Sequence, residues 1–232
     1  MRNNHLKIFA AAAFAVVVMT SCEDFLNVKP RGYDVASKIE HYQGLLYGDE
    51  KYFLKETFPY RCFETYTDEN GYDMAYSEVG SAVTNAYKWE ADIYREDEIC
   101  GEWNSFTTVL YSCNKVINEV LDAEDGTEEQ RLALQSEARM LRAWCTFMMS
   151  PFFGKVPVLT VASTLTTDLP LKSVEEVNDF VLKEMEESVE HLEDSNEHYL
   201  RIFSASGYGL YGKVLFLLGK YDQAAVQFSK AF

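Results

Sequence analysis

The stretch LGKYDQAAVQFSKA, residues 218–231, constrains the architecture more than any other part of the chain. Gly219-Lys-Tyr221 interrupts an apolar run and marks a turn. Beyond it, Ala224, Phe228 and Ala231 place small, aromatic and small residues at helical spacing, and Gly212 lies on the helix before the turn. Small residues opposite a ring allow two helices to approach closely, so the pattern predicts a helical hairpin with the chain reversing at Gly219.

The same region contains GYGLYG, in which Gly207, Gly209 and Gly212 have the spacing of a dinucleotide-binding fingerprint. That chemistry needs a strand before the glycines, a second strand after the helix and an acidic residue about 20 positions on. Only 20 residues follow Gly212, which leaves no room for the second strand. A tetratricopeptide-type hairpin, with its period of about 34 residues, accounts for Gly212, the turn and the downstream pattern together. The glycines are therefore read as packing residues, and no cofactor is expected. A unit of that length starting at Ala205 runs past Phe232, so the second helix is expected to be incomplete, and the apolar side of the hairpin at Leu215, Leu218, Val226 and Phe228 to face water.

Upstream, more helices follow from periodicity and capping. Trp103, Phe106, Leu110, Cys113, Ile117 and Val120 step by three and four along one face and predict a helix ending near Leu121. AEDG at 123–126 breaks it, and Thr127-Glu-Glu-Gln130 is a capping box. The helix it opens carries Leu134, Ala138, Leu141, Cys145 and Met148 inward and is expected to stop at Pro151, before a turn and a short extended segment. Ser173-Val-Glu-Glu176 is a second capping box, opening a helix to about Leu192 with Val174, Val177, Val181 and Leu192 inward. Ser37 can cap a shorter helix through Tyr47, and residues 48–100 read as loops with short elements. The fold class is mainly α, built from tetratricopeptide-like hairpins with a loop-rich aromatic insertion, and the sequence looks truncated.

The amino terminus is an address. Arg2 and Lys7 form a basic region, Ile8–Met19 an apolar one, and Thr20-Ser21-Cys22 a small-residue stop. As a helix the apolar part reaches about 18 Å, well short of a hydrocarbon core of about 30 Å. A cysteine after a small pair is the pattern of a bacterial lipoprotein signal, with Met19 where leucine is usual. Residues 1–21 are thus read as a lipoprotein signal peptide and Cys22 as the acylated residue. Residues 22–36 form a lipidated tether, and 37–232 the helical domain.

The formal net charge of −16 repels phosphate backbones and argues against nucleic-acid binding. His5, His41, His191 and His198 make no H-E-x-x-H, and there is no C-x-x-C, G-x-S-x-G or phosphate loop, so neither a metal site nor a catalytic residue is assigned. Cys62, Cys100, Cys113 and Cys145 allow three pairings, among which sequence does not choose; Cys113 and Cys145 fall on apolar faces, where buried free thiols are expected. Glu175, Glu176, Glu184, Glu186 and Glu187 read as solvated helix-face charges. The positive signal is aromatic: twelve rings fall between Phe58 and Tyr111. Flat rings with polar tips suit sugars, because ring faces pack on C–H surfaces while neighbouring amides and carboxylates bond hydroxyls. Tyr72, Tyr76, Trp89 and Tyr94 are the candidate ligand contacts; Trp89 is also weighed as a core ring, and Trp103 and Phe106 are placed in the core.

Taken in order, SCEDFLNVKP, Trp103 with Tyr111-Ser-Cys-Asn114-Lys-Val-Ile, the run EARMLRAWCTFMMSPFFGKVP, the Ser-Val-Glu-Glu helix and the closing LGKYDQA resemble the SusD/RagB outer-membrane lipoproteins of Bacteroidetes. The chain departs from that pattern at Met19, at Pro151, and at Gly209 and Gly212, where alanine-like residues are common. The resemblance implies a non-catalytic, lipid-anchored protein of the cell surface. It would bind an oligosaccharide or peptide nutrient and act as a lid on a SusC-like TonB-dependent transporter. It also implies a longer protein, with much of the ligand site in a carboxyl-terminal half, and carries over no binding residue; Cys22 alone transfers, as lipid acceptor. Two other classes remain open on sequence: a helical-repeat scaffold lipoprotein of envelope assembly, and a secreted glycoside hydrolase, whose carboxylate pair no motif would reveal.

Overall fold

The computed structural model describes residues 36–50, 84–85, 88–90, 101–163, 169–194 and 201–232. Six α-helices lie among the described residues: α1 (Ile39–Glu50), α2 (Gly101–Glu119), α3 (Glu128–Phe153), α4 (Val174–Ser188), α5 (Ser204–Leu217) and α6 (Tyr221–Lys230). A two-stranded antiparallel sheet, β1 (Val156–Pro157) with β2 (Leu171–Lys172), pairs Val156 with Lys172 and Pro157 with Leu171. The architecture is mainly helical, as the apolar stepping and the capping boxes predict. No helix among the described residues is long and apolar enough to cross a membrane.

The helix starts are set by local chemistry. Thr127 Oγ1 accepts from the Gln130 amide while Gln130 Oε1 accepts from the Thr127 amide, closing the first capping box. Ser173 and Glu176 do the same for α4. At α1 the expected Ser37 cap gives way to a tertiary one: the Ile39 amide donates to Asp125 Oδ1 at 2.8 Å, and the Glu124 amide donates to the Ser37 carbonyl. The turn that carries Asp125 needs Gly126, whose φ is +78° and whose missing Cβ leaves room for the Ile39 side chain. A turn between α2 and α3 thus also anchors the start of α1.

Helix α3 lies at the centre, packed by α1, α2 and α4, and is buried almost all round from Ala133 to Ser150. The single inward face read from sequence is therefore too narrow: Met140, Ala143, Phe147 and Met149 are buried with Leu134, Ala138, Leu141 and Cys145, whereas Met148 is only half-buried. The helix does not stop at Pro151 but runs two residues further. Proline there falls in the last turn. Beyond it, Phe152 and Phe153 pack on Phe106, and Gly154, at φ +71°, closes the helix by donating to the Ser150 carbonyl. Of the face expected inward, Phe106, Leu110 and Cys113 on α2 and Val120 just beyond it are fully buried, but Trp103, placed in the core from sequence, is only half-buried. Cys113 and Cys145 are buried thiols, with Cys145 Sγ against the Phe106 carbonyl. In α4, Val177, Val181 and the following Leu192 are buried as expected. Val174, expected inward, is exposed.

Burial of α3 also encloses charge. Glu184 is 6% exposed rather than solvated, gripped by Arg142 on one oxygen and by Arg139 on the other. Arg139 reaches on to Glu187 at 2.6 Å. Burial disfavours the charged Arg139, but its hydrogen bonds to Glu184 and Glu187 outweigh this and raise its pKa further. Elsewhere on α3, Glu137, 1% exposed, accepts from Arg201 Nε at 3.0 Å and from the Ile202 amide at 3.2 Å, and so fixes the entry to α5. Of the five glutamates read as solvated, Glu184 is the exception; it is enclosed because α4 turns it toward α3.

The GYGLYG glycines sit inside α5, and the described residues directly before it, 201–203, form no strand. They are not equivalent. A Cβ on Gly212 would lie 2.8 Å from the Phe228 ring, and one on Gly207 would collide with Leu192. A Cβ on Gly209 would meet nothing within 4 Å. Gly219, at φ +74°, makes the turn into α6. Packing accounts for Gly207 and Gly212, turn geometry for Gly219, and neither for Gly209. The exposed apolar face matches the expected one only in part: Val226 faces water as expected, Leu218 and Phe228 are half-buried, Leu215 is buried, and Phe216, Leu217 and Tyr221 are exposed instead.

Candidate functional site

The face of α2 opposite its buried stripe carries Asn104, Thr107, Thr108 and Tyr111 at i, i+3, i+4 and i+7, with Trp103 beside them. Facing it is the segment that follows α3. The Gly154 turn reverses the chain, β1 and β2 pin its ends, and Pro157, Leu159, Val161, Ser163 and Leu169 form the opposing wall. Between the two lies a cleft of about 510 Å³, within the range that small-ligand sites occupy.

The groups in the cleft are fixed from behind. The Trp103 ring meets Phe153 edge-on at 5.2 Å, and Phe153 meets Phe106 edge-on at 6.0 Å, so the last turn of α3 sets the indole. Tyr111 is 40% exposed. Thr107 Oγ1 donates to the Trp103 and Asn104 carbonyls, and Thr108 Oγ1 to the Asn104 carbonyl at 2.8 Å. Their protons committed, the two hydroxyls offer lone pairs to a ligand, while the Asn104 amide offers both a donor and an acceptor. At the floor Asn114, 1% exposed, is spent on the protein: Nδ2 donates to the Leu159 carbonyl at 3.1 Å and to the Val161 carbonyl at 3.4 Å, and Oδ1 accepts from Arg142 Nη1 at 2.8 Å.

Among the described residues, none of those lining the cleft carries a charge at neutral pH, although the chain as a whole is at −16. Two rings, two hydroxyl acceptors and an amide in uncharged surroundings suit a neutral, hydroxyl-bearing ligand with apolar faces. They give no counter-charge to a phosphate or carboxylate.

The sequence candidates fall elsewhere. Tyr72, Tyr76 and Tyr94 lie outside the described residues. Trp89 is 73% exposed at φ +55°, in a turn where the Lys88 and Glu90 amides donate to the Thr84 and Asn85 carbonyls; it is neither a core ring nor one of the cleft-lining residues. Asn104, Thr107 and Thr108 drew no notice in the sequence, where the apolar stepping of α2 dominated. The available signal was its complement, a small polar stripe at helical spacing ending in a ring.

Residues 24–215 match the family model described as SusD-like, starch-binding and associating with the outer membrane. A SusD-like protein of Bacteroides ovatus is 27% identical over 106 residues, which are 44% of this chain and 19% of that one. Among solved structures, a laminarin-binding SusD-like protein superposes with a TM-score of 0.67 at 19% identity, over 84% of this chain and 43% of its own. Surface glycan-binding protein A of Bacteroides uniformis gives 0.62 at 21% identity, over 83% and 44%. The chain spans less than half the length of each of these proteins. At such identities the superpositions establish the helical fold, while the family match extends over most of the sequence. This chain belongs to the SusD-like family.

Proposed function

We propose that the protein is a cell-surface glycan-binding lipoprotein, held in the outer membrane by acyl chains on Cys22, that delivers oligosaccharide to a TonB-dependent transporter. The uncharged cleft beside α2, with Trp103 and Tyr111 as its rings, carries the binding part of this reading. Membership of a starch-binding family and likeness to a laminarin-binding protein support a neutral glucan as the ligand class. The exposed ring of Trp89, with Tyr72, Tyr76 and Tyr94, would extend the contact surface over the aromatic insertion.

Calorimetric titration with laminarin and starch oligosaccharides, with product analysis of the same mixtures, tests the proposal. Binding without turnover is expected, weakened about tenfold or more by Trp103→Ala or Tyr111→Ala, since ring stacking on a ligand contributes roughly 1–2 kcal/mol. Hydrolysis of the glucan, or binding indifferent to both rings, would point to a hydrolase or to another site. For the anchor, Cys22→Ala should move the protein from the membrane to the soluble fraction.

A further inference from the structure

The wall of the cleft is held by a residue that a ligand has no need to touch. Asn114 is on α2, but both of its amide protons go to carbonyls of the facing segment, those of Leu159 and Val161. An asparagine amide can rotate by half a turn and fit almost as well sterically, so something must decide which end faces the wall. Arg142 decides it. A guanidinium only donates, so with Nη1 at 2.8 Å the group facing it has to be Oδ1, which leaves Nδ2 for the carbonyls. Arg142 is in turn locked by Glu184, which accepts from its Nε at 3.1 Å and also from Nη2, while the second Glu184 oxygen is held by Arg139. The Phe180 ring lies 5.6 Å from the Arg142 guanidinium carbon. The result is a chain of directional bonds from α4, through α3 and α2, to the cleft wall, almost all of it buried.

We propose that Glu184, Arg142 and Asn114 are positioning residues of the cleft: the buried ion pair orients the Asn114 amide, and the amide holds the Leu159–Val161 segment at a fixed distance from the rings and hydroxyls of α2. The chain deepens the glycan reading and rests on it for its effect on affinity, but its effect on the wall is independent of any ligand. The fold needs charge neutrality between α3 and α4, which Arg142 and Glu184 satisfy without Asn114. What Asn114 adds is the wall.

The deciding variant is Asn114→Asp. Aspartate keeps the shape and still accepts from Arg142, but it has no proton for the two carbonyls and sets a negative oxygen against them. Hydrogen exchange over residues 156–163 should then accelerate about tenfold or more, the scale expected when buried acceptors lose their donor, while exchange in α3 and α4 changes much less. Laminarin-oligosaccharide affinity should fall by a similar factor. Arg142→Lys is the second variant: it keeps a charge for Glu184 but loses the planar fork, and should loosen the same segment to a smaller degree. Unchanged exchange over 156–163 in both variants overturns the proposal, as does acceleration spread evenly over α3, α4 and the wall, which would mark simple destabilisation. If the wall loosens as expected while the unaltered protein binds no oligosaccharide, the positioning role stands and the glycan reading falls.

Discussion

Helices α3 and α6 both belong to helical hairpins, yet they solve different problems. α3 is covered by α1, α2 and α4, whereas α6 packs on α5 and buries only Ala224. In α3, burial leaves no water for polar side chains, so Glu137 and Arg142 are each tied to a partner distant in sequence. In α6 the polar side chains can stay wet, and fit is decided sterically where Phe228 meets the bare backbone of Gly212. A helix covered on all sides is held by directional bonds; one covered on one side is held by shape.

The contrast is sharpest for Arg142. Replacing it with methionine leaves the Glu184 carboxylate with Arg139 alone and removes the donor from Asn114 Oδ1. Removing one partner of a buried pair costs about 3–5 kcal/mol. Urea unfolding of Arg142→Met should show a loss toward the lower end of that range, since Arg139 still pairs with Glu184, and adding Glu184→Leu should restore part of it, because the half-paired carboxylate is gone. On α6 the comparable change, Gln223→Met at an exposed position, should move stability by about 0.5 kcal/mol or less. Losses of equal size on the two helices would erase the distinction.

Within α5 the three glycines give a second test, with opposite signs from one motif. Gly212→Ala forces a methyl group against the Phe228 ring and should destabilise by about 1–3 kcal/mol. Phe228→Leu in the same chain should recover part of that loss. Gly209→Ala adds a methyl group in open space and should stabilise by about 0.5–1 kcal/mol, because alanine leaves the unfolded chain less freedom to lose. Thermal denaturation of the two single variants settles it. Two destabilising results would mean that Gly209 also serves a close contact.

These glycines mark how far sequence carries. The hairpin could be read from Gly212, Gly219 and Phe228 because close approach and a left-handed turn both demand glycine, and helix starts could be read from Thr127 and Ser173 because a capping box is local. α3 runs past Pro151, since the proline rule describes an isolated helix while the rings of Phe106, Phe152 and Phe153 stabilise a last turn that lacks one bond. Glu184 departs from its solvated pattern for a related reason: a polar stripe on one helix does not reveal an arginine on another. The cleft was the least legible feature. Trp103 fits the apolar stripe of α2 and so read as core, and the wall that completes the site comes from residues more than fifty positions later, brought there by Asn114 and the Gly154 turn.

Between the dry centre of α3 and the wet face of α6 lies a third environment, the rim of α3 and α4, and here the smallest effect is expected. The Glu129, Glu176 and Glu187 carboxyls lie below their ordinary value of 4.5 through hydrogen bonds chiefly from Thr127, Lys172 and Arg139 respectively. All three are solvent-accessible, so each contributes little. Because their folded values lie below the unfolded ones, the folded chain binds fewer protons in that window; their stabilisation is complete above about pH 5.5 and fades as pH falls through the folded values. Urea midpoints measured between about pH 6 and pH 3 should decline more steeply for the unaltered chain than for the Glu129→Gln, Glu176→Gln, Glu187→Gln variant, which should start slightly less stable at neutral pH. Raised salt should shrink the Glu176 and Glu187 part, where lysine and arginine supply the charge, and spare the Glu129 part, which comes from a neutral hydroxyl. Parallel declines in the two chains would mean that the rim behaves as α6 does.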